Sequence, residues 1–311
     1  MIDLEAKKRY ELYCEREHGI PIFSQPWWMD AICGQENWGA YLVGNGNDIK
    51  ASIAFYINND SGKKRISRAL LTQNNGIVIK YPPNQGIIAK QKYEEKIVDD
   101  ICNYIEELGL ESFDQQFNYK YTNFLPFFWR YYQGTVKYTY VIENTEDLDA
   151  VRNSYSSKIK NELRKAQKYL TVQPSSDYEL FYKVNKMSFD RQGVSIPYSY
   201  EQFIKLVEAC QYNDACNLIQ AIDADGRVVS VAMLVWDNDS IYYLLNGTDP
   251  ELKMLQGNLL LIDYGIELAH KKGLKFDFEG SVIKNVNHAF REFGGIPKPY
   301  FRITKKFDER A

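Results

Sequence analysis

One order of secondary-structure elements runs twice through this 311-residue chain, and no other feature of the sequence narrows the fold as far. In the second half, "NLIQAID" and "VVSVAMLVW" read as strands joined by the turn "DADGR", where Asp225-Gly226 is a hairpin signal, and "SIYYLLNGT" follows as a third strand. The loop "DPELKMLQG" then leads into the helix "NLLLIDYGIELAHKKG", whose apolar residues recur at helical spacing and which stops at Gly273. Next comes the strand "LKFDFEG", and a strand delivered by a crossover helix pairs in parallel. A short helix, "NVNHAFREFGG", and a last strand, "KPYFRIT", complete the series.

The first half runs in the same order. "NWGAYLVGN", "DIKASIAFYIN" and "KKRISRALLT" form a meander, followed by the helix "KYEEKIVDDICNYIEELG", the strand "LESFDQQFN" and the aromatic segment "TNFLPFFWRYY". Even the preludes correspond, since "SQPWWMDAICG" and "PYSYEQFIKLVEAC" are both amphipathic helices opened by proline. The pattern predicts a duplicated module of roughly 150 residues, an ordinary size for a domain. The expected fold class is α/β with mixed sheets: two tandem modules, residues 1–140 and 141–311, each a mostly antiparallel meander followed by helix, strand, helix and strand.

Composition excludes several classes. Hydrophobic residues at 45% and charged residues at 25% suit a chain that buries real cores, not a disordered or fibrous one. No run of about 18 apolar residues is present to span a membrane, and the N-terminal "MIDLEAKKRYELYCEREHG" is a charged helix without the apolar core of a signal peptide. A cytoplasmic protein is expected. Five cysteines without a CxxC spacing suggest neither a zinc site nor a disulfide framework, and no metal is expected. A net charge of −3 does not advertise nucleic-acid binding over the whole surface.

Two local features stand against that background. Between the halves, "VRNSYSSKIKNELRKAQKYLTVQP" carries Lys158, Lys160, Arg164, Lys165 and Lys168 around an apolar stripe of Ile159, Leu163 and Ala166. A solvated face is the common reason for such a helix, but its excess of positive charge in an acidic protein favours anion binding. The second feature is "FDFEGSVIKNVNHAFREFGG", a strand that stops at a carboxylate, a glycine and a serine and turns into a helix bearing His288 and Arg291. Alternation puts Asp277 and Glu279 on one face and Phe276 and Phe278 on the other.

Taken together, "PIFSQPWWMDAI", "SYSSKIKNELRKAQKYLTV", the run from "LNGTDPELKMLQG" to "FDFEGS", and "FREFGG" resemble, in order and spacing, the GCN5-related N-acetyltransferase (GNAT) superfamily in its tandem, FemAB-like form. The resemblance implies an acyl donor such as acetyl-CoA held by the second module. It also implies an amino-bearing acceptor, such as an amino sugar, a nucleotide-linked cell-envelope precursor or a peptide. Two departures bear on this. The donor loop of such enzymes is rich in glycine, whereas "ELKMLQGN" has only Gly257, so that Lys253, Gln256, Gly257 and Asn258 at a helix N-terminus are left to hold the anion. Arg291 stands where the family prefers lysine, exchanging a point charge for a fork.

Acyl transfer to an amine needs a neutral amine, a polarised carbonyl and a route for the proton. No Ser-His-Asp or Cys-His spacing suggests a covalent intermediate, so direct attack is expected. The strands "IYYLLN" and "FDFEG" are the pair between which the superfamily inserts its donor. There Glu279 is either the base or a polar lining, and Tyr243 either the proton donor to the leaving group or a packing residue. Asn246 is a candidate for the donor's amide-like arm, although "NGTD" is also turn chemistry. Lys158, Arg164, Ser281, His288 and Arg291 are the acceptor-side candidates. Aminoacyl-tRNA as donor is the second enzymatic reading, disfavoured by the acidic balance, and a catalytically inert ligand-binding module is a third.

Overall fold

The computed structural model describes residues 3–46, 48–60, 62–280 and 284–307. The chain divides into two compact units, one of residues up to Lys137 together with those from Pro299 onward, the other Tyr138–Lys298.

In the first unit, α1 (Leu4–Cys14) starts where the Asp3 side chain accepts the N–H groups of Glu5 and Ala6, each at 3.0 Å. α2 (Pro26–Cys33) opens on proline, whose missing N–H costs a helix nothing at that place. The meander is β1 (Trp38–Asn45), β2 (Asp48–Asp60) and β3 (Lys63–Ser67), with the short β4 (Val78–Ile79) also on β2. α3 (Ile87–Glu107) then crosses to β5 (Ser112–Gln116), which pairs in parallel with β3. The buried stripe of α3, from Ile97 through Val98, Ile101 and Cys102 to Ile105, packs with Ile53, Phe55, Ile66, Phe113 and Phe127. α1 and α2 help cover a second core around Tyr10, Met29, Trp38 and Ala54. α4 (Leu125–Trp129) is a single short turn of aromatic helix.

The chain passes into the second unit within β6 (Gln133–Ile142). α5 (Leu148–Ser154), α6 (Ser157–Ala166), β7 (Leu170–Pro174), α7 (Tyr178–Asp190) and α8 (Tyr200–Tyr212) precede the meander of β8 (Cys216–Asp223), β9 (Val228–Trp236) and β10 (Ser240–Thr248). α9 (Gly257–Lys272) ends at Gly273, whose φ of +67° suits glycine, and delivers β11 (Lys275–Asp277) parallel to β10. α10 (Lys284–Glu292) and β12 (Ile296–Lys306) follow. The core beneath α9 joins Leu261, Ile262 and Ile266 to Leu234, Ile241, Tyr243, Phe276, Phe278, Phe290 and Phe293. The fold is thus the mixed α/β architecture of two tandem GNAT-like modules.

The modules exchange their last strands. β6, at the end of the first half, pairs antiparallel with β11 through Val141 and Ile142 inside the second unit. β12, at the end of the second half, pairs antiparallel with β5 from Arg302 to Lys306 inside the first. A module of contiguous residues ending at the C-terminus, as expected from the sequence, therefore differs from the compact units, because the final strand finds its hydrogen-bonding partner in β5. β11 is also shorter than the expected strand through Gly280. Asp277 Oδ1 accepts the Glu279 N–H at 2.8 Å, and Glu279 and Gly280 both take left-handed backbone conformations, with φ of +62° and +65°. A side chain at Gly280 would meet the Tyr138 carbonyl oxygen at 2.2 Å.

Candidate active site

The site is built in the second unit where β10 and β11 part. Their pairing holds through Tyr242 and Asp277 and goes no further, while β10 runs on to Thr248. β10 also carries an irregularity between Tyr243 and Leu245 in its register with β9, which puts Leu244 out of the ladder. Before it, Tyr243 faces the core beneath α9; after it the phase inverts, and Asn246 stands exposed opposite Ala232. The resemblance implies that a donor enters between these two strands, and their ladder ends at this level.

α9 points its N-terminus at the same region. Gln256 precedes it in a left-handed conformation with φ of +59°, and Gly257 is buried so closely on β9 that a side chain would meet Ser230 Oγ at 2.8 Å. The Tyr243 hydroxyl donates to Asn258 Oδ1 at 2.7 Å, tying the strand to the first turn of the helix. Burial pushes the Tyr243 phenol up, so it stays protonated and keeps that bond. Lys253, in a short 3-10 turn before the helix, is exposed. The free amides of a helix start, with this lysine beside them, suit an anion.

Glu279 is the most unusual group of the site. As a residue it is half-buried, yet its Oε1 is enclosed and has no hydrogen-bond partner among the described residues. Burial, and then the neighbouring Asp277, push its carboxyl well above the ordinary range. Asp277 itself is buried and accepts a hydrogen bond from the Thr139 hydroxyl on β6. On the same face, the Tyr242 phenol donates to Asp237 Oδ2 at 3.0 Å and is pushed up by burial and by Asp237, Asp277 and Asp239. Tyr243 and Asp277 thus belong to opposite faces of the sheet, and the Tyr243 hydroxyl bonds Asn258 rather than Glu279.

The remaining candidates are scattered more widely. Lys158 and Arg164 are exposed on α6, which buries Ile159, Leu163 and Ala166 as its apolar stripe requires. Lys165 is tied to Glu162 at 2.9 Å and Lys160 to the Asn153 carbonyl at 2.7 Å. His288 and Arg291 are exposed one turn apart on α10. Ser281 lies outside the described residues. The phenylalanines and glycines of "FREFGG" are structural: Phe290 packs on Phe278 with ring centres 4.8 Å apart, Phe293 meets Tyr155 edge-on at 5.0 Å, and a side chain at Gly294 would meet Ser154 Oγ at 2.5 Å.

Two supports of the site escaped the sequence reading. Asn185 on α7 donates to the Asn246 carbonyl at 2.6 Å and accepts from the Tyr198 hydroxyl, clamping the far end of β10. Arg152 grips Asp263 of α9 with two bonds, at 3.1 and 2.7 Å, while the Tyr155 hydroxyl donates to the same carboxylate at 2.9 Å. A lone asparagine or aspartate within a helical pattern gives no sign of such partners. Among the described residues, no group of histidine, cysteine, aspartate and glutamate could hold a metal ion, and no helix is long and apolar enough to cross a membrane.

Comparison with known proteins agrees with this geometry. Residues 153–284 match the family described as "Acetyltransferase (GNAT) domain", a span that takes in α6, the whole meander, α9 and β11. Across the whole chain, the crystal structure of FemX superimposes with a TM-score of 0.71 at 12% identity, covering 95% of each chain. Residues 153–284 thus carry a GNAT domain, and the chain as a whole has a FemX-like fold. Weaker structural likenesses include a conserved protein of unknown function from Bacteroides thetaiotaomicron, with a TM-score of 0.55 at 10% identity over 98% of each chain. L-PGS from Bacillus licheniformis gives a TM-score of 0.50 at 10% identity, covering 85% of this chain and 83% of that one. No curated protein matches by sequence. The GNAT fold is that of an acyltransferase, and the donor and acceptor are the questions it leaves to the site.

Proposed function

We propose that this protein is an N-acyltransferase that moves an acyl group, such as acetyl, from acyl-CoA to an amino group of a small-molecule, glycan or peptide precursor of the cell envelope. The observation that carries the reading is Glu279, an enclosed carboxyl at the end of the strand where β10 and β11 separate. The donor's thioester enters between the strands, with its phosphates at the head of α9 near Lys253, Gln256, Gly257 and Asn258. Asn246 takes up the amide-like arm, and Tyr243 acts by holding Asn258 in place.

The chemistry is a direct attack. The acceptor amine adds to the thioester carbonyl, the carbon–sulfur bond breaks, and CoA leaves as the thiolate or thiol. Glu279 receives the proton that the amine loses. A carboxyl pushed above its ordinary range by burial and by Asp277 holds a proton more tightly than an exposed one, which favours its taking the proton from the amine. Lys158, Arg164, His288 and Arg291, exposed cations or potential cations, recognise an acceptor bearing phosphate or carboxylate.

The test is release of free thiol from acetyl-CoA and longer acyl-CoA esters over a panel of amines, with CoA binding followed separately by calorimetry. Turnover by the wild type that survives Glu279→Gln unchanged sinks the proposed chemistry. CoA binding without turnover on any amine points instead to an inert binding module. A second donor, aminoacyl-tRNA, is favoured by the single-glycine loop before α9 and the exposed Lys158 and Arg164. Salt-sensitive tRNA binding that is weakened in Lys158→Gln, with no response to any thioester, establishes that donor in place of CoA.

A further inference from the structure

The first unit carries a charge imbalance that its fold does not require. Arg302 on β12 stands opposite Gln116 of β5 and reaches back to Asp114 with two bonds, Nε to Oδ1 at 2.8 Å and Nη2 to Oδ2 at 2.6 Å. One guanidinium in this two-pronged geometry satisfies a carboxylate. Two further cations nevertheless gather at the same place. Arg68, just beyond β3, has its Nε 3.7 Å from Asp114 Oδ2 and donates Nη1 to Gln116 Oε1 at 3.3 Å. Lys137 on β6 donates to the same Gln116 Oε1 at 2.9 Å.

Among the described residues, three cations face one carboxylate here, leaving two positive charges without a counterpart. Lys137 has no ion-pair partner among the described residues, and its half-buried ammonium is held below the usual lysine range by burial and by Arg68 and Arg302. Gln116 is committed, since its nitrogen donates to the Gln73 carbonyl at 2.7 Å. Beside it, Gln73 Nε2 is an enclosed donor with no acceptor among the described residues. Like charges held together and a buried donor left without an acceptor both cost stability. A bound anion would supply both the missing negative charge and an acceptor.

We propose that Arg68, Lys137 and Arg302 form a binding site for a phosphate group. Two uncompensated charges match a phosphate better than a single carboxylate, and forked guanidinium donors fit its oxygens. The site lies in the first unit and stands whether or not the transfer reading of the second unit holds.

The experiment is calorimetric titration of the full chain with inorganic phosphate and inorganic pyrophosphate at constant ionic strength. Melting temperatures of the wild type, Lys137→Gln and Arg68→Gln are measured in phosphate-free buffer. Saturable binding of either anion is expected, with an affinity about tenfold lower in Lys137→Gln, as for loss of one charge-assisted hydrogen bond. In phosphate-free buffer Lys137→Gln should melt no lower than the wild type, because removing the ammonium relieves repulsion. Absence of saturable binding to both anions overturns the proposal. So does wild-type affinity in both variants, or a lowered melting temperature of Lys137→Gln in phosphate-free buffer, which would make the lysine a structural contact.

Discussion

The ends of β5 and β11 occupy corresponding places in the two modules, and they have been given opposite chemistry. Each strand follows a long helix, runs parallel to the third strand of its meander and contains Phe-Asp, Phe113-Asp114 in one and Phe276-Asp277 in the other. Each phenylalanine enters its core. Asp114 lies opposite Thr304 of β12 and Asp277 opposite Val141 of β6, so that two residues earlier along the partner strand stand Arg302 and Thr139. Both reach the aspartate. An arginine cancels the charge of Asp114, whereas a hydroxyl satisfies Asp277 without cancelling it. Beyond the aspartates, the first module continues with Gln115 and Gln116, neutral amides bonded to the backbone at Ala54 and Gln73. The second turns sharply and presents Glu279. The two modules share one scaffold; the residue on the exchanged strand decides whether its aspartate is neutralised by a guanidinium or only hydrogen-bonded by a hydroxyl.

The largest expected effect lies at the end proposed to handle the proton. Glu279→Gln keeps the volume and removes the base, and turnover should fall about 10²- to 10⁴-fold, the usual worth of a positioned general base. CoA affinity measured by calorimetry should be retained, because the head of α9 is untouched. Equal losses of turnover and CoA binding would show that the substitution had damaged the cleft instead. The matching change in the first module, Gln116→Ala, should leave turnover within about twofold if only the second module carries chemistry.

Next come the two aspartate partners. Thr139→Val removes a hydroxyl donor from buried Asp277 and should cost about 1–3 kcal/mol of unfolding free energy in a denaturant titration. Arg302→Met removes two charge-assisted bonds from Asp114, but that carboxylate is partly exposed and Arg68 lies 3.7 Å away to take over. A loss of about 1–2 kcal/mol is expected there. A larger loss for Arg302→Met than for Thr139→Val would break the comparison, since it would make the neutralised aspartate the more demanding of the two.

The sequence displayed the elements better than their partners. Meanders, crossover helices and parallel strands announce themselves through local period and turn chemistry, and they fold where Asp225-Gly226, Gly273 and the apolar stripes of α3 and α9 indicated. The exchange of β6 and β12 was not legible, because nothing in an alternating strand says which edge it joins. The early end of β11 was hidden as well, since Asp277 turns the chain through its side chain and Glu279 adopts a backbone conformation uncommon outside glycine. At the site, Tyr243 and Asn258 were each readable as polar groups near the donor, but their hydrogen bond spans 15 residues and depends on the register of α9 over β10. The clamp from Asn185 and the Arg152–Asp263 grip lie further still from any local signal.

The smallest effect is a pH dependence of stability, and it separates the two strand ends most cleanly. A carboxyl whose pKa is raised by folding binds its proton more tightly in the native state than in the unfolded one, so stability falls as pH rises. The fall starts near the unfolded glutamate value of about 4.3 and continues up to the raised folded value. Glu279 is in this position, with burial as the main cause and Asp277 as the charged neighbour that adds to it. Below about pH 4 the wild type and Glu279→Gln should therefore melt together, and above it the variant should gain steadily on the wild type. Gln116→Ala, at the corresponding place in the first module, replaces a group that does not titrate, and its difference from the wild type should be flat over the same range. A flat difference for Glu279→Gln in melting curves from pH 4 to 8 would mean that the carboxyl is open to water, and the contrast between the two strand ends would then rest on position alone.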